Sequence, residues 1–226
     1  MRRLLFISII GFLVLMTTSC ETSNITRGNQ YPKMYEEKPV TLLVMPPINN
    51  TNHVEAKDLL YTSIARPLAE SGYYVISPFL SMEVLRAESA YDAELFINGK
   101  LDKFRQYFGA DAVVFSVIET WEKQGFGIKT KIHYLIKSTK TNEIIFDRSC
   151  DLYLDLSVNT GTSGIVGSLV DLTASAINTA VTKHIKAARM ANQYIFKDIP
   201  RGTYSPSYLQ DMDVAADKKD ITRTVK

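Results

Sequence analysis

Polar and apolar positions alternate most regularly in the middle of the chain. Across residues 126–137 every even position is apolar or threonine, and most odd positions are polar. A period of two predicts a half-buried β-strand. Residues 111–120 are almost wholly apolar, which is typical of a strand covered on both faces. A turn at residues 140–142 leads to a third strand-like run at 143–153, so we predict an antiparallel three-strand meander.

The N-terminal half predicts a βαβ-like unit. Residues 40–45 form a short apolar run that ends at two prolines, and residues 54–72 have helical spacing. Gly72 stands where a C′ residue belongs, and the apolar residues 73–76 predict a second strand. Strand, helix and strand within about 40 residues match a βαβ unit.

Helical spacing continues on both sides of the meander. We predict helices at residues 79–88 and 93–108, and a long amphipathic helix over residues 163–196 that packs on the sheet. The fold class is therefore α/β or α+β, with a mixed sheet, a βαβ-like N-terminal unit, the meander and a long C-terminal helix.

The first twenty residues predict export. Arg2 and Arg3 precede an apolar run of about 13 residues, which is shorter than the roughly 20 that span a bilayer. A charged start, a short apolar stretch and a small-residue site make a secretory signal peptide.

Ser19-Cys20 resembles the lipobox of bacterial lipoproteins, although Thr17 stands where that motif usually has Leu. The resemblance implies cleavage before Cys20 and acylation of its thiol, which makes Cys20 the sole membrane anchor. An ordinary signal peptide followed by a chance cysteine is the alternative.

These features predict the layout of the chain. Residues 1–19 are a signal peptide, 20–38 a lipidated tether, 39–208 a single α/β domain and 209–226 a polar tail. Loss of Arg2 and Arg3 lowers the Lys and Arg count from 26 to 24, equal to the 24 Asp and Glu. Because the mature chain has no net charge, we expect no nucleic-acid partner.

The candidate reactive residues predict no catalytic, metal or cofactor site. Cys150, the one free thiol left once Cys20 is acylated, lies on the apolar face of residues 143–153, so we expect a buried, inert thiol. His53, His133 and His184 lack ligand spacing, and there is neither a G-x-S-x-G elbow nor a P-loop lysine. We therefore expect a protein that is not an enzyme.

Two further stretches have a structural and a functional interpretation. Residues 160–167 are rich in glycine and hydroxyls, so they either cap the following helix or bind an anion through its N-terminus. Lys129, Lys131, His133 and Lys137 form a basic strand face, which is either solvated or a surface for an anionic partner.

Residues 199–208 end the long helix and carry candidate binding residues. Pro200, Gly202 and Pro206 prevent the helix from continuing, while Tyr204 and Tyr208 add aromatic area. The segment either folds back to cover the sheet or contributes Tyr204 and Tyr208 to a partner-binding surface.

Five stretches, in this order, resemble motifs of a bacterial lipoprotein family of unassigned function, domain of unknown function 799. They are residues 44–49 (VMPPIN, family LPP-x-N), 67–75 (PLAESGYYV, PLAE-x-GYYV), 108–113 (FGADAV), 118–121 (IETW, I-x-x-W) and 199–206 (IPRGTYSP, LP-x-GPYHP). In the last motif Thr203 replaces Pro and Ser205 replaces His.

The resemblance implies a fold similar to the TolB N-terminal domain and a gene neighbour that is similar to the curli secretion channel. It implies an outer-membrane lipoprotein, facing the periplasm, that acts as accessory or assembly partner of a curli-channel-like lipoprotein. Regulation of peptidoglycan synthesis through a penicillin-binding protein is the alternative, and an envelope hydrolase is a third hypothesis.

Overall fold

A mixed β-sheet forms the centre of the protein, whose computed structural model describes residues 25–157 and 172–226. The elements are α1 (Arg27–Gln30), α2 (Pro32–Glu37), β1 (Thr41–Val44), β2 (Ile48–Asn49), α3 (Ala56–Glu70), β3 (Tyr74–Val75), α4 (Pro78–Ala87), α5 (Glu94–Ile97), α6 (Asp102–Phe108), β4 (Ala112–Gln124), β5 (Gly127–Ser138), β6 (Ile144–Asp155), α7 (Leu172–Phe196) and β7 (Asp220–Val225).

The order of the strands confirms the predicted fold class. The sheet runs β3-β1-β4-β5-β6-β7, and β2 also pairs with β4. β1 pairs in parallel with both β3 and β4, so β1, α3 and β3 form the expected βαβ-like unit. β4, β5 and β6 are antiparallel, as the alternation predicts.

The central strands are buried on both faces because helices cover both sides of the sheet. On one side α3 and α7 pack with Leu42 and Val44 of β1. On the other side α4 and α6 pack with Leu43 and Met45. Successive side chains of a strand point to opposite faces, so this continuous apolar run supplies both layers.

The helix predicted over residues 93–108 is two helices, α5 and α6. Asn98 and Gly99, both weak helix formers, follow α5. The gap is also fixed from outside, since Lys137 Nζ donates to the carbonyl of Ile97 at 2.7 Å. This contact with β5 replaces helical hydrogen bonding.

The tether predicted at residues 20–38 is folded onto the domain from Thr26 onward, so the prediction is wrong for residues 26–38. Tyr31, Met34 and Tyr35 are buried, and the Tyr31 ring stacks on Phe146 with ring centroids 5.0 Å apart. These three residues have i, i+3, i+4 spacing, which places them on one helical face.

The prediction of a polar tail at residues 209–226 is also wrong for the last part of this range. β7 pairs in parallel with β6, from Ser149 opposite Asp220 to Leu154 opposite Val225. Ile221 is buried in the core, so the C-terminal segment completes the sheet.

Candidate functional site

A buried ionic network joins the beginning of the described chain to its C-terminal part. The Arg27 side chain is buried and donates from all three guanidinium nitrogens. Nη1 donates to Asp211 Oδ2 at 2.9 Å and Nε to Asp198 Oδ1 at 3.3 Å. Nη2 donates to the carbonyl of Lys197 at 3.1 Å. A guanidinium with every nitrogen used in this way holds α1 against the end of α7.

Asp198 connects this arginine to a second buried one. Its Oδ2 accepts from Tyr31 Oη at 2.9 Å and lies 3.6 Å from Arg148 Nη1. Arg148 is fully buried, and its Nη2 donates to the carbonyl of Lys218 at 2.6 Å. Burial raises the pKa of Tyr31 above its usual range, so its hydroxyl remains a donor. The network therefore includes β6, α1 and the C-terminal segment.

Residues 199–208, predicted to cover the sheet or bind a partner, are held through their backbone. Ile199 is completely buried in the core. Gly202 N–H donates to the carbonyl of Ser71 at 2.9 Å, and Tyr204 N–H to that of Gly72 at 3.0 Å. Gly72 has φ +92°, and a Cβ on Gly202 would collide with the Gly72 carbonyl. The two glycines permit this close approach.

The two candidate binding tyrosines differ in exposure. Tyr204 is 67% exposed on this rigid segment, whereas Tyr208 is half-buried. The segment folds back through Ile199, while most of the Tyr204 side chain is exposed. The structure thus separates a buried part of the segment from an exposed part, and the binding role of the two tyrosines stays a prediction.

A cleft of about 380 Å³ lies beside the segment. Arg201 belongs to both, since its N–H donates to Asp211 Oδ2 at 3.0 Å and its Nη1 donates to Ser71 Oγ at 3.2 Å. The cleft walls also carry Glu70, Tyr194 and Lys197. Aromatic residues and Arg are enriched at protein–protein interfaces, and the rims of such interfaces are polar.

Two histidines that are distant in sequence meet beside the single tryptophan. The ring centroids of His53 and His184 are 4.4 Å apart, and Trp121 Nε1 donates to His184 Nδ1 at 2.8 Å. Burial and the neighbouring His53 lower the pKa of His184, against a smaller opposite effect of Glu55. His184 is therefore a neutral acceptor, and no spacing rule in the sequence indicates this contact.

The candidate basic strand face is largely neutralised by acidic neighbours. The N···O distances are 4.0 Å for Lys129 and Asp151, 2.7 Å for Lys131 and Glu119, and 2.7 Å for His133 and Asp147. Lys137 is buried, and desolvation lowers its pKa. These pairs favour the solvated-face interpretation over an anion-binding surface.

Cys150 lies in the core, as its position on the apolar strand face predicts. Its side chain is fully buried, and burial raises the pKa of the thiol to about 12. The lipidation candidate Cys20 and the glycine-rich loop at residues 160–167 lie outside the described residues.

Residues 25–157 and 172–226 contain neither a cluster of metal-binding side chains nor a helix that could span a membrane. This part of the chain places no group of three or more His, Cys, Asp and Glu side chains to hold a metal ion. Within the same residues, no helix combines the length and apolar character needed to cross a membrane.

The described residues define one mixed α/β domain, in which the beginning of the described chain is joined to residues 197–216. A family model described as "Putative lipoprotein GNA1162-like" matches residues 29–203. The chain belongs to this lipoprotein family. A relative described as "Putative lipoprotein NMB1124/NMB1162", from Neisseria meningitidis serogroup B, is 24% identical over 176 residues, which cover 75% of this chain and 79% of the relative.

Solved structures show similarity over much of the chain. The crystal structure of lipoprotein GNA1162 from Neisseria meningitidis is 21% identical, covers 64% of this chain and 95% of that chain, and has a TM-score of 0.47. The hypothetical protein CT253 from Chlamydia trachomatis is 16% identical, with coverages of 71% and 92% and a TM-score of 0.43.

Proposed function

We propose that this protein is an outer-membrane lipoprotein, acylated at Cys20 and facing the periplasm, that acts as an accessory or assembly partner in a cell-envelope complex. Membership of a lipoprotein family and the signal-peptide pattern before Cys20 support the anchor. Stable attachment takes more than one acyl chain, and a diacylated or triacylated cysteine provides this.

The observation that carries the binding role is the geometry of residues 199–208. Backbone hydrogen bonds and the buried Ile199 hold the segment rigidly, yet Tyr204 is 67% exposed. A rigid segment loses little conformational freedom when a partner binds, and tyrosine is enriched at interfaces. The adjoining cleft, with Glu70 and Arg201 in its walls, offers further polar contacts.

The proposed partner is a curli-channel-like lipoprotein, because the sequence motifs resemble a family that is encoded beside one. A penicillin-binding protein is the partner that the peptidoglycan hypothesis requires. The two proposals use the same surface and differ in the identity of the bound protein.

Site-specific photocrosslinking in living cells tests this function. A photoreactive phenylalanine analogue replaces Tyr204 in one variant and Tyr107, which is 73% exposed on α6, in the control variant. We expect a discrete adduct from position 204 alone, and mass spectrometry then identifies the partner. Equal adducts from both positions, or none from position 204, contradict the proposal.

The anchor has its own test. Cys20→Ala should release the protein from membranes or leave the signal peptide uncleaved. Mature-sized Cys20→Ala protein that still sediments with membranes after a salt wash contradicts a sole lipid anchor.

A further inference from the structure

Three exposed apolar residues lie where the beginning of the described chain pairs with residues 212–216. Ile25 is 55% exposed, Met212 43% and Val214 46%. Ala216 N–H donates to the carbonyl of Ile25 at 2.7 Å, Arg27 N–H to that of Val214 at 2.9 Å and Gly28 N–H to that of Met212 at 2.9 Å. We name Ile25, Met212 and Val214 the junction patch.

The junction patch sits on a rigid base. Arg27, next to it in sequence, is fixed by Asp198 and Asp211 in the buried network. A Cβ added to Gly28 would lie 3.2 Å from the carbonyl oxygen of Met212, so the two backbones are closely packed. The patch therefore keeps its position relative to the domain.

The sequence limits how far the proposed anchor can lie from this patch. Cys20 precedes Ile25 by five residues, which span at most about 18 Å when fully extended. A domain of this length has an expected radius of gyration of about 17 Å. The short connection therefore cannot reach around the domain, and it keeps the side that carries Ile25 turned toward the membrane.

We propose that the junction patch contacts the surface of the bilayer that holds the acyl chains of Cys20. This inference rests on the acylation proposed above. Asp213 lies between two patch residues and Lys218 follows, so the surroundings carry charges of both signs. Contact is apolar insertion at the lipid interface and does not require an anionic headgroup.

Lipid quenching of a fluorophore tests the contact. The acylated full chain carries a single added cysteine, Met212→Cys or the control Tyr107→Cys, labelled with an environment-sensitive dye. Cys150 is buried and stays unlabelled. Tyr107 is exposed on α6, which packs on the face of the sheet opposite to α3 and α7. The vesicles contain phosphatidylcholine alone or phosphatidylethanolamine with phosphatidylglycerol, each with a nitroxide-bearing lipid.

We expect severalfold stronger quenching at position 212 than at position 107 in both lipid mixtures, and the same result at position 214. Equal quenching at 212 and 107 overturns the inference. Quenching restricted to the anionic mixture overturns the apolar mode of contact. If position 212 is shielded only in native envelopes and open in vesicles, a protein covers the patch and the inference also fails.

The two proposals fail in distinguishable ways. Flotation with the vesicles and the intact mass of the protein report acylation. A protein without acyl chains overturns the anchor and the inference together. An acylated, floating protein without quenching at position 212 overturns the inference alone. Val214→Cys provides a second position if Met212→Cys does not fold.

Discussion

Burial controls the protonation of several single residues. Desolvation raises the pKa of the Cys150 thiol to about 12 despite the nearby Arg148, and it lowers the pKa of His184. In each case removal from water disfavours the charged form. Both residues are therefore neutral at physiological pH, and both can be tested in the intact protein.

We predict that Cys150 resists thiol reagents in the native protein, because its thiol is buried and protonated. A bulky maleimide should leave it unmodified in buffer and modify it fully in denaturant, as followed by mass spectrometry. Tyr107→Cys, with an exposed thiol, is the control that should react at once. Rapid modification of Cys150 in native wild-type protein would falsify the prediction.

We predict that acid weakens the protein partly through His184. Its folded pKa is below that of the unfolded chain, so the unfolded state binds more protons as the pH falls below about 6.5. The contribution of His184 to the free energy of unfolding should therefore be fully present above pH 7 and should decrease toward pH 5. Urea titrations at several pH values measure this slope.

The fluorescence of Trp121, the single tryptophan, should change over the same pH range. His184→Asn keeps an acceptor for the tryptophan N–H and removes the titration, so it should reduce both effects. His133→Asn, at a site that pairs with Asp147, is the matched control. If His184→Asn keeps the wild-type pH slope and fluorescence change, the assignment is wrong.

At the scale of the elements, the segment that follows α7, residues 199–208, has a buried part and an exposed part. Ile199 is buried and Tyr204 is largely solvated. The sequence-based alternatives, covering the sheet or binding a partner, thus apply to different residues of one segment. Substitutions at the two positions should separate stability from binding.

We predict that Ile199→Ala lowers the free energy of unfolding by about 2–5 kcal/mol, since it removes a buried aliphatic side chain. Tyr204→Ala should change it by no more than about 0.5 kcal/mol, as surface substitutions do. Thermal and urea unfolding measure both. Tyr204→Ala should nevertheless abolish recovery of the partner, and a large loss of stability in this variant would show that the ring is structural.

The elements that sequence analysis located have strong local signals. The strands around residues 112–155 show apolar runs or an alternation that Leu135 and Arg148 interrupt, and Gly72 marks the end of α3. β7 is different because Ile221 and Val225 stand alone among polar residues, and pairing with β6 stabilises it. α1 has the sequence RGNQ, without apolar periodicity, and is fixed by the contacts of Arg27.

The residues of the candidate sites also differ in this respect, since some have a local sequence signal and others have none. Tyr204 and Tyr208 could be proposed from the sequence because proline, glycine and tyrosine cluster locally, and their role stays a prediction. Trp121 and His184 are 63 positions apart, and only the packing of α7 on the sheet brings them together. Contacts of this kind depend on tertiary structure and leave no local spacing pattern.

For the molecule as a whole, a buried ionic network joins the beginning of the described chain to its C-terminal part. Arg27, Arg148, Asp198 and Asp211 are all buried and lie within one network. Each charge is compensated by an opposite charge or by carbonyl groups. Removing one partner from such a network leaves the others uncompensated, which is the costly case for buried ions.

We predict that Arg27→Ala lowers the free energy of unfolding by about 3–5 kcal/mol because Asp211 loses its paired cation. Urea unfolding measures the loss. Lys33→Ala is the matched control, since Lys33 pairs with Glu143 at 2.8 Å on the surface and should contribute at most about 1 kcal/mol. Equal effects of the two substitutions would show that the network is energetically unimportant.

The contact between Arg27 and Asp211 also bears on the order of events during folding. Arg27 can form its ion pair with Asp211 only when the chain has brought together two residues that are 184 positions apart in the sequence. Contacts over such a separation form late, since the intervening chain must close first. Residues 26–30 therefore dock late in folding. For the acylation proposed at Cys20, this order would place lipid attachment before the last step of folding.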